Sequence, residues 1–272
     1  MSQAPVMTSA VAAQTINVCY SFFKANEMYD FQNRVLLLTG ANGGIGREVA
    51  KLFYANGAQL VLTDLDHDAL KRFATELDPT GTRVATIRMD ASDPKDSEAA
   101  VEVAVKRFGG IDFLVPAAAI YLARPAKEMS DAEWHKVISI NLDGVFYICQ
   151  RSIRALRDNS AICNIASVAG HRGSFANSHY SATKGAILSL TRSLARELGP
   201  RTRVNAVSPG IIETPMTTEL IKLRGADSIE QSSLKRLGQP AEVATAIAFL
   251  CSSGASFITG ESLQVNGGLH IS

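Results

Sequence analysis

Tyr180 and Lys184 are four residues apart in a segment that predicts a helix, so their side chains share one face. The phenol of tyrosine has an ordinary pKa of about 10 and is a weak base at neutral pH. A nearby ammonium group stabilises the phenolate, so we expect Lys184 to lower the pKa of Tyr180. Ser167 closes a predicted strand 13 residues before Tyr180, where its hydroxyl can bond to a substrate oxygen. This arrangement predicts that Tyr180 is a general acid for ketone reduction or a base for alcohol oxidation.

A glycine-rich segment, T-G-A-N-G-G-I-G at 39–46, joins a predicted strand to a predicted helix. Glycine permits a tight turn here, lets the backbone approach a pyrophosphate and allows close packing of helix on sheet. The N-terminus of the following helix favours an anion. The segment therefore predicts a dinucleotide site, whereas a turn without a ligand is the alternative. The residues assigned to this site are Gly40, Asn42, Gly44, Ile45 and Gly46.

Two acidic residues follow the next two predicted strands. Asp64 lies 24 residues after Gly40, where a carboxylate can accept hydrogen bonds from the adenosine ribose. It would repel a 2′-phosphate, and no basic residue lies in 41–44, so NAD is favoured over NADP. A solvated loop acid is the alternative for Asp64. Asp90 is equally suited to holding the adenine edge and to a helix cap or turn.

The elements that must position these residues alternate between strands and helices. Short apolar runs predict strands at 35–38, 60–62, 84–89, 111–115, 161–166, 204–207 and 262–265. Helical patterns cover 45–56, 67–77, 94–107, 131–157 with a break near Asn141, 178–198 and a last helix from Pro240. The alternation predicts an α/β fold, namely a single doubly wound Rossmann domain at 31–272. Its parallel seven-stranded sheet would carry helices on both faces. Residues 1–30 differ in composition and are predicted to form a flexible N-terminal arm or one that packs on a partner.

Composition argues against several other classes of protein. The net charge of +1 comes from 27 basic and 26 acidic residues, so nothing attracts the chain generally to nucleic acid or acidic membranes. No apolar stretch is long enough to span a bilayer, and the N-terminus is a poor signal or transit peptide. The four cysteines have neither C-x-x-C nor metal-ligand spacing, and we expect them to be buried thiols in a reducing compartment. We therefore predict a cytoplasmic protein without a metal site.

Taken together, these motifs resemble the short-chain dehydrogenase/reductase superfamily from about Arg34 to Leu269. Besides the glycine-rich segment, the similar positions are Asp64, Asn141 in N-L-D-G-V-F, Ser167, Y-S-A-T-K at 180–184, P-G-I-I-E-T at 209–214 and I-T-G-E-S-L-Q-V-N-G-G at 258–268. The resemblance implies a nicotinamide cofactor that supplies the hydride, and a catalytic tetrad of Asn141, Ser167, Tyr180 and Lys184.

The resemblance also implies a role for each member of the tetrad. Tyr180 would be the acid/base, and Lys184 would bind the nicotinamide ribose and tune Tyr180. Ser167 would orient the reacting oxygen, and Asn141 would hold a water that relays protons through Lys184; a helix cap is the alternative for Asn141. The residues that would lie along the nicotinamide half of the cofactor are Pro209, Gly210, Ile212 and Thr214.

One segment departs from the family pattern. Where members usually carry Asn-Asn-Ala-Gly after the fourth strand, this chain has Pro116-Ala117-Ala118-Ala119. The usual side-chain amides are absent, so we expect packing to hold this strand end, with Pro116 stiffening the exit. Ala118 would still lie against the cofactor.

Within the superfamily the chain most resembles 3-oxoacyl-(acyl-carrier-protein) reductases, notably in E-T-P-M at 213–216. Those enzymes usually prefer NADP, which Asp64 disfavours. The alternative is therefore an NAD-dependent dehydrogenase of a sugar, polyol or other small secondary alcohol. A non-catalytic dinucleotide sensor would not need both Tyr180 and Lys184.

The expected walls of the substrate pocket are Ile120, Tyr121, 169–175 and 215–237, and the last of these is predicted to be a mobile lid. The resemblance implies a homotetramer. Long helices near 141–157 and 178–198 carry more apolar residues than one core needs, which favours the same assembly.

Overall fold

One parallel sheet organises the chain, and the computed structural model describes residues 29–271 of it, apart from the side chains of 223 and 224. The strands are β1 (Val35–Thr39), β2 (Gln59–Asp64), β3 (Val84–Arg88), β4 (Ile111–Pro116), β5 (Leu156–Ile165), β6 (Thr202–Pro209) and β7 (Ser262–Val265). They lie in the order β3-β2-β1-β4-β5-β6-β7, and every neighbouring pair is parallel. The predicted doubly wound fold is confirmed, while the arm at 1–30 falls almost wholly outside the described residues.

Helices connect the strands and cover both faces of the sheet. They are α1 (Gly44–Ala55), α2 (His67–Leu77), α3 (Pro94–Phe108), α4 (Asp131–Ile138), α5 (Gly144–Ser152), α6 (Val168–Arg172), α7 (Ser178–Leu198), α8 (Thr218–Gln231) and α9 (Pro240–Cys251). The sequence predicted α2 and α7 at the observed boundaries, but it assigned no helix to α6 or α8.

The strands are buried on both faces, as their uninterrupted apolar runs require. In β1, Leu36 and Leu38 join a core with helices α1, α2 and α9, whereas Leu37 points to the opposite core with α3, α5 and α7. In β2, Val61 likewise faces away from Leu60. This alternation follows from the two-residue period of a strand, and it places the helices in two layers.

Local capping explains where several helices begin. Asp66 and Asp93 accept hydrogen bonds from backbone N–H groups in the first turns of α2 and α3. Ser130 and Glu133 form a reciprocal capping box at the start of α4. Pro240 occupies the first turn of α9, as its fixed φ favours.

The predicted helix at 131–157 is partly wrong. A π turn at Ser139–Asp143 interrupts it where the break was expected, but the helix ends at Ser152 rather than at residue 157. The next strand begins at Leu156, five residues before its predicted start at 161. Leu156 pairs with Ile111 on β4, so a contact between distant residues overrides the polar local sequence.

A buried carboxylate ties the amino ends of three strands together, at the edge opposite the strand ends that carry Ser167 and the glycine-rich segment. The Asp112 side chain is only 4% exposed, and it forms ion pairs with Arg34 at 2.6 Å and Arg157 at 2.8 Å. It also accepts a hydrogen bond from the backbone N–H of Val35 at 2.8 Å. These contacts join the amino ends of β1, β4 and β5.

The described part of the chain has no helix long and apolar enough to cross a membrane. Over the same residues, no group of histidine, cysteine and acidic side chains is placed to hold a metal ion. Cys149, Cys163 and Cys251 are buried free thiols, which confirms the predicted burial for three of the four cysteines. Cys19 lies outside the described residues.

Candidate active site

A continuous cleft runs across the carboxyl ends of β1, β2, β4, β5 and β6, where ligands of open α/β sheets bind. One part is bordered by Asp64 and Asp90, and the neighbouring part by Ser167, Tyr180 and Lys184. All residues assigned to the cofactor from the sequence border these two parts, namely Gly40, Asn42, Gly44, Ile45, Gly46, Asp64, Asp90, Ala118, Tyr180, Lys184, Pro209, Gly210, Ile212 and Thr214.

The glycine-rich turn depends on a close approach between two loops. Gly40 has φ +65°, and a Cβ added there would lie 2.6 Å from the backbone nitrogen of Ala118. Any side chain would therefore push the loop after β1 away from the loop after β4. Both a left-handed conformation and the lack of a Cβ are needed at this position.

The N-terminus of α1 opens into the cleft without a cap. Its N-cap residue, Gly43, makes no side-chain capping bond, and the first turn has no acidic residue. The N–H groups of Gly44, Ile45 and Gly46 have no acceptor within the helix, and these residues line the cleft. The open donors at α1, which border the cleft, therefore fit the pyrophosphate of a dinucleotide.

Asp64 serves the fold as well as the cleft. One carboxylate oxygen accepts a hydrogen bond from Asn42 N at 2.9 Å, and the other accepts from Asp66 N at 3.2 Å. A carboxylate offers about four acceptor positions, so two remain for ribose hydroxyls. Asp64 therefore holds the glycine-rich turn against β2 and is not a freely solvated acid.

Asp90 takes the turn role that the sequence left open, and it also borders the cleft. Its carboxylate accepts hydrogen bonds from the backbone and hydroxyl of Ser92 at 2.9 and 2.7 Å. Those two bonds lower the pKa of Asp90, so it remains an anion at neutral pH. The adenosine part of the cleft therefore carries two carboxylates, Asp64 and Asp90, and no basic residue of the described part of the chain borders it.

The sequence reasoning missed Arg47, the residue directly after the glycine-rich segment. Its guanidinium donates to the Asn42 carbonyl at 3.2 Å and lies 4.4 Å from the ring centre of Phe73. It supports the turn from behind and does not border the cleft.

Ser167, Tyr180 and Lys184 meet where α6 crosses α7. Ser167 caps α6 and bonds to the side chain of Tyr180, and Lys184 Nζ lies 5.6 Å from the centre of the Tyr180 ring. A Cβ at Gly170 would lie 2.6 Å from the Lys184 backbone, so the crossing requires a glycine there. The three predicted residues are thus brought together, and the sequence reasoning missed the part of Gly170.

Burial is the main cause of the pKa shifts of Tyr180 and Lys184. It raises the pKa of Tyr180 to about 12, and Tyr121 adds to the rise while the bond with Ser167 opposes it. The expected lowering of the Tyr180 pKa by Lys184 is therefore wrong in this structure. Burial also lowers the pKa of Lys184 to about 8, and its Nζ donates to the Ile165 carbonyl at 2.7 Å.

Tyr180 is held from its other side by an aromatic neighbour. The ring of Tyr121 lies edge-on to that of Tyr180, with centroids 4.9 Å apart. Asn177, at the start of α7, donates to the Tyr121 hydroxyl at 2.8 Å. The sequence named Tyr121 only as a pocket wall, and Asn177 gave no signal.

Asn141 is fully buried in the π turn and does not line the cleft. Its side-chain oxygen accepts from Ile120 N at 2.9 Å, and its side-chain nitrogen donates to the Ile120 carbonyl at 2.8 Å. The side chain thus holds the loop after β4 and does not cap a helix. Binding of a relay water by another atom of Asn141 stays a prediction.

The loop at Pro116-Ala117-Ala118-Ala119 is held by polar bonds as well as by packing. The N–H of Ala118 donates to Thr39 Oγ1 at 3.1 Å, and Asn141 fixes the next residue, Ile120, on both backbone groups. The expectation that packing alone replaces the missing amides is therefore wrong. Thr39 from β1 and Asn141 from the π turn supply the polar contacts.

A further pocket adjoins Ser167 and Tyr180, and as the candidate for binding substrate it is called the substrate pocket below. Its walls include residues predicted from the sequence, namely Tyr121, Ala169, Arg172, Gly173, Ser174, Met216, Thr217, Leu220, Asp227, Ser228 and Gln231, and also Val168, which was not predicted. The predicted wall residue Ile120 borders the adenosine part of the cleft instead. Residues 215–231 form a short helical turn and α8, which together cover the pocket. The predicted lid segment is therefore in place, and its mobility stays a prediction.

Known proteins share this architecture over most of the chain. A family model described as Enoyl-(Acyl carrier protein) reductase matches residues 40–270. A 3-oxoacyl-(acyl-carrier-protein) reductase of Aquifex aeolicus is 38% identical over 242 residues, which cover 88% of this chain and 98% of that protein. A cyclohexanol dehydrogenase of an Acinetobacter species is 36% identical over 241 residues, or 87% of this chain and 95% of that protein.

A solved structure from Brucella melitensis is similar in both sequence and fold. It is described as a short-chain dehydrogenase/reductase of the glucose/ribitol dehydrogenase kind, and it is 60% identical with a TM-score of 0.88. The similarity covers 90% of this chain and 99% of that one. The chain is thus a nicotinamide-dependent oxidoreductase acting on alcohol CH–OH or ketone groups, and it belongs to the short-chain dehydrogenase/reductase family.

Proposed function

We propose that the chain interconverts a small secondary alcohol and its ketone with NAD, using Tyr180 as the acid/base. The observation that carries this proposal is the meeting of Ser167, Tyr180 and Lys184 beside a cleft. Among residues 29–271, the charged side chains that border the adenosine part of this cleft are all acidic. When bound, the nicotinamide would accept or donate the hydride.

The chain's own residues would hold the reacting oxygen and move its proton. Ser167 and Tyr180 both border the substrate pocket, so their hydroxyls can bond to the same substrate oxygen. Burial raises the Tyr180 pKa to about 12, so the phenol keeps its proton at neutral pH and is in the form that can donate to a ketone. For alcohol oxidation the phenolate must form, and the Lys184 ammonium, with a pKa of about 8, is the cation nearest to it among the cleft residues.

Two candidate functions use this same reaction and differ in the class of substrate. Reduction of a 3-oxoacyl thioester is the activity named for the Aquifex aeolicus relative, and oxidation of cyclohexanol is named for the Acinetobacter relative. The acidic adenosine site favours NAD and therefore an NAD-dependent dehydrogenase of a small alcohol. A screen of alcohols with NAD and of ketones with NADH separates the two.

The enzyme is expected to prefer NAD to NADP by roughly tenfold or more in kcat/KM, because a 2′-phosphate would face Asp64 and Asp90. Asp64→Asn should reduce the preference for NAD over NADP, because it removes the negative charge and keeps one oxygen that can accept from the backbone N–H of Asn42. Asp68→Asn is the matched control, because Asp68 lies nearby on α2 with its side chain 84% exposed. A preference for NADP in the unaltered enzyme would contradict the role given to Asp64.

We also propose that the enzyme is a cytoplasmic homotetramer. Phe146 on α5 and Val105 on α3 are 45% and 44% exposed, which supports a covered surface across these helices. Helix α7, by contrast, has no exposed large apolar residue, so the apolar excess expected there is absorbed by the core. The buried cysteine thiols are consistent with a reducing compartment. Light scattering at micromolar concentration should give four times the chain mass, and a monomer would contradict the proposal.

A further inference from the structure

A second cavity lies directly behind the substrate pocket, and we call it the rear cavity. Four residues border both spaces, namely Gly210, Ile211, Ser228 and Leu269. Beyond them, the rear cavity is bordered by the aliphatic side chains of Ile212, Leu234, Leu237 and Val265 and by the polar side chains of Ser232, Arg236, Glu242, Gln264 and Asn266. The two spaces are therefore separated by a thin wall to which Leu269 and Ile211 contribute the large side chains.

The backbone around Leu269 is fixed by hydrogen bonds on both sides. Its N–H donates to the Asn266 carbonyl at 3.1 Å, and its own carbonyl accepts from the Arg172 guanidinium at 3.2 Å. The Asn266 side chain then donates to the His270 carbonyl at 3.0 Å. Hydrogen bonds thus fix the backbone of Leu269 in the pocket wall, although the residue lies only three residues from the end of the sequence.

Two glycines bring this C-terminal turn against the segment that follows α8. Gly267 and Gly268 have φ of +62° and +77°, and added Cβ atoms would lie 2.8 and 2.5 Å from the hydroxyls of Ser232 and Ser233. The Gly267 carbonyl accepts from Ser232 Oγ at 2.9 Å. The turn therefore fixes the wall and one end of the lid segment to each other.

We propose that Leu269 sets the length of substrate that the enzyme accepts, by closing the pocket toward the rear cavity. This inference rests on the proposed function, because the reacting oxygen must be held at Ser167 and Tyr180. The carbon chain of the substrate then extends from that oxygen and ends at Leu269. The substrate class is a short, largely aliphatic secondary alcohol or its ketone, and the rear cavity is space that longer chains cannot reach.

The test measures binding of 2-alkanols, from 2-butanol to 2-nonanol, to the NAD-loaded enzyme by calorimetry, with turnover followed in parallel. Each methylene buried should tighten binding about fourfold until the chain meets the wall, after which the affinity stays level. Leu269→Ala should open the rear cavity and continue the tightening for roughly two further methylenes, the space of the removed side chain. Leu269→Phe should end the rise at a shorter chain.

A second substitution identifies where the extra methylenes go. Leu234 borders only the rear cavity and is 62% exposed, so Leu234→Trp can fill that space without disturbing the core. Added to Leu269→Ala, it should restore the original length limit. Leu122→Ala is the matched leucine control and should leave the limit unchanged, since Leu122 borders neither space.

The outcomes separate this inference from the proposed function. Three results would each overturn the inference. The chain-length limit could be the same in both Leu269 variants as in the unaltered enzyme, or the affinity of the unaltered enzyme could keep rising through 2-nonanol. The third result is that neither the unaltered enzyme nor the variants bind any of the alcohols. Binding that follows the predicted lengths without any turnover would instead contradict the proposed function, because calorimetry needs no chemistry.

Discussion

Tyr180→Phe is expected to lower kcat by roughly 10²–10⁴-fold, the usual contribution of a general acid or base. The change removes only the hydroxyl that bonds to Ser167, and the ring can keep its edge-on contact with Tyr121. Binding of NAD should change by no more than about tenfold, which is the scale of one hydrogen bond. Steady-state kinetics and titration with NAD measure the two quantities separately.

Tyr147→Phe is the matched control for this substitution. Tyr147 lies on α5 and contacts Phe146 and Arg151, away from the cleft. Its loss of a hydroxyl should leave kcat unchanged. If Tyr180→Phe keeps more than roughly a tenth of the original kcat, another group must carry the proton, since even a weak general acid or base contributes more.

Asp112→Ala is expected to lower the free energy of unfolding by about 3 kcal/mol. The substitution leaves the buried N–H of Val35 without its acceptor and removes the partner of Arg34 and Arg157. The two guanidinium side chains are 34% and 36% exposed, so water compensates part of their loss and the full cost of a buried ion pair is not reached. Urea denaturation followed by circular dichroism gives the value.

The exposed acid Asp158 provides the comparison for Asp112. Its side chain is 86% exposed and pairs with Arg201 at the surface, so Asp158→Ala should have little effect on unfolding. Because Asp112 lies at the amino ends of the strands, the folded Asp112→Ala enzyme should keep its kcat. Equal losses of stability in the two variants would contradict the structural role of Asp112.

The sequence predicted the sheet well because its strands are buried on both faces and leave uninterrupted apolar runs. It failed at 156–160, where the polar run L-R-D-N-S forms the start of β5. That segment is a strand because Leu156 pairs with Ile111 and Ser160 with Thr202, and neither partner is near in sequence. Asp112 did leave a signal, since a lone acid inside an apolar run requires a buried partner.

The cleft residues were predictable because the family pattern fixes which strand ends they follow, but their environments were not. The contact between Gly170 and Lys184 depends on how two helices cross, which spacing does not reveal. The direction of the Tyr180 pKa shift was wrong for a related reason. Charge spacing suggested stabilisation by Lys184, whereas burial has the larger effect once the ring lies under the surrounding elements.

The π turn at 139–143 also keeps the two halves of one long helix in phase. Val137 and Val145 are both buried and stand eight residues apart, which in an uninterrupted α-helix would leave them about 80° out of alignment. The wider turn takes up much of that angle and lets both side chains be buried. Removing one residue here would leave them seven residues apart, about 20° from alignment in a regular α-helix, so the two halves would stay in phase but the π turn that carries Asn141 would be lost. The extra residue therefore serves the placement of Asn141, whose side chain holds the backbone of Ile120, and not the packing of the two helix halves alone.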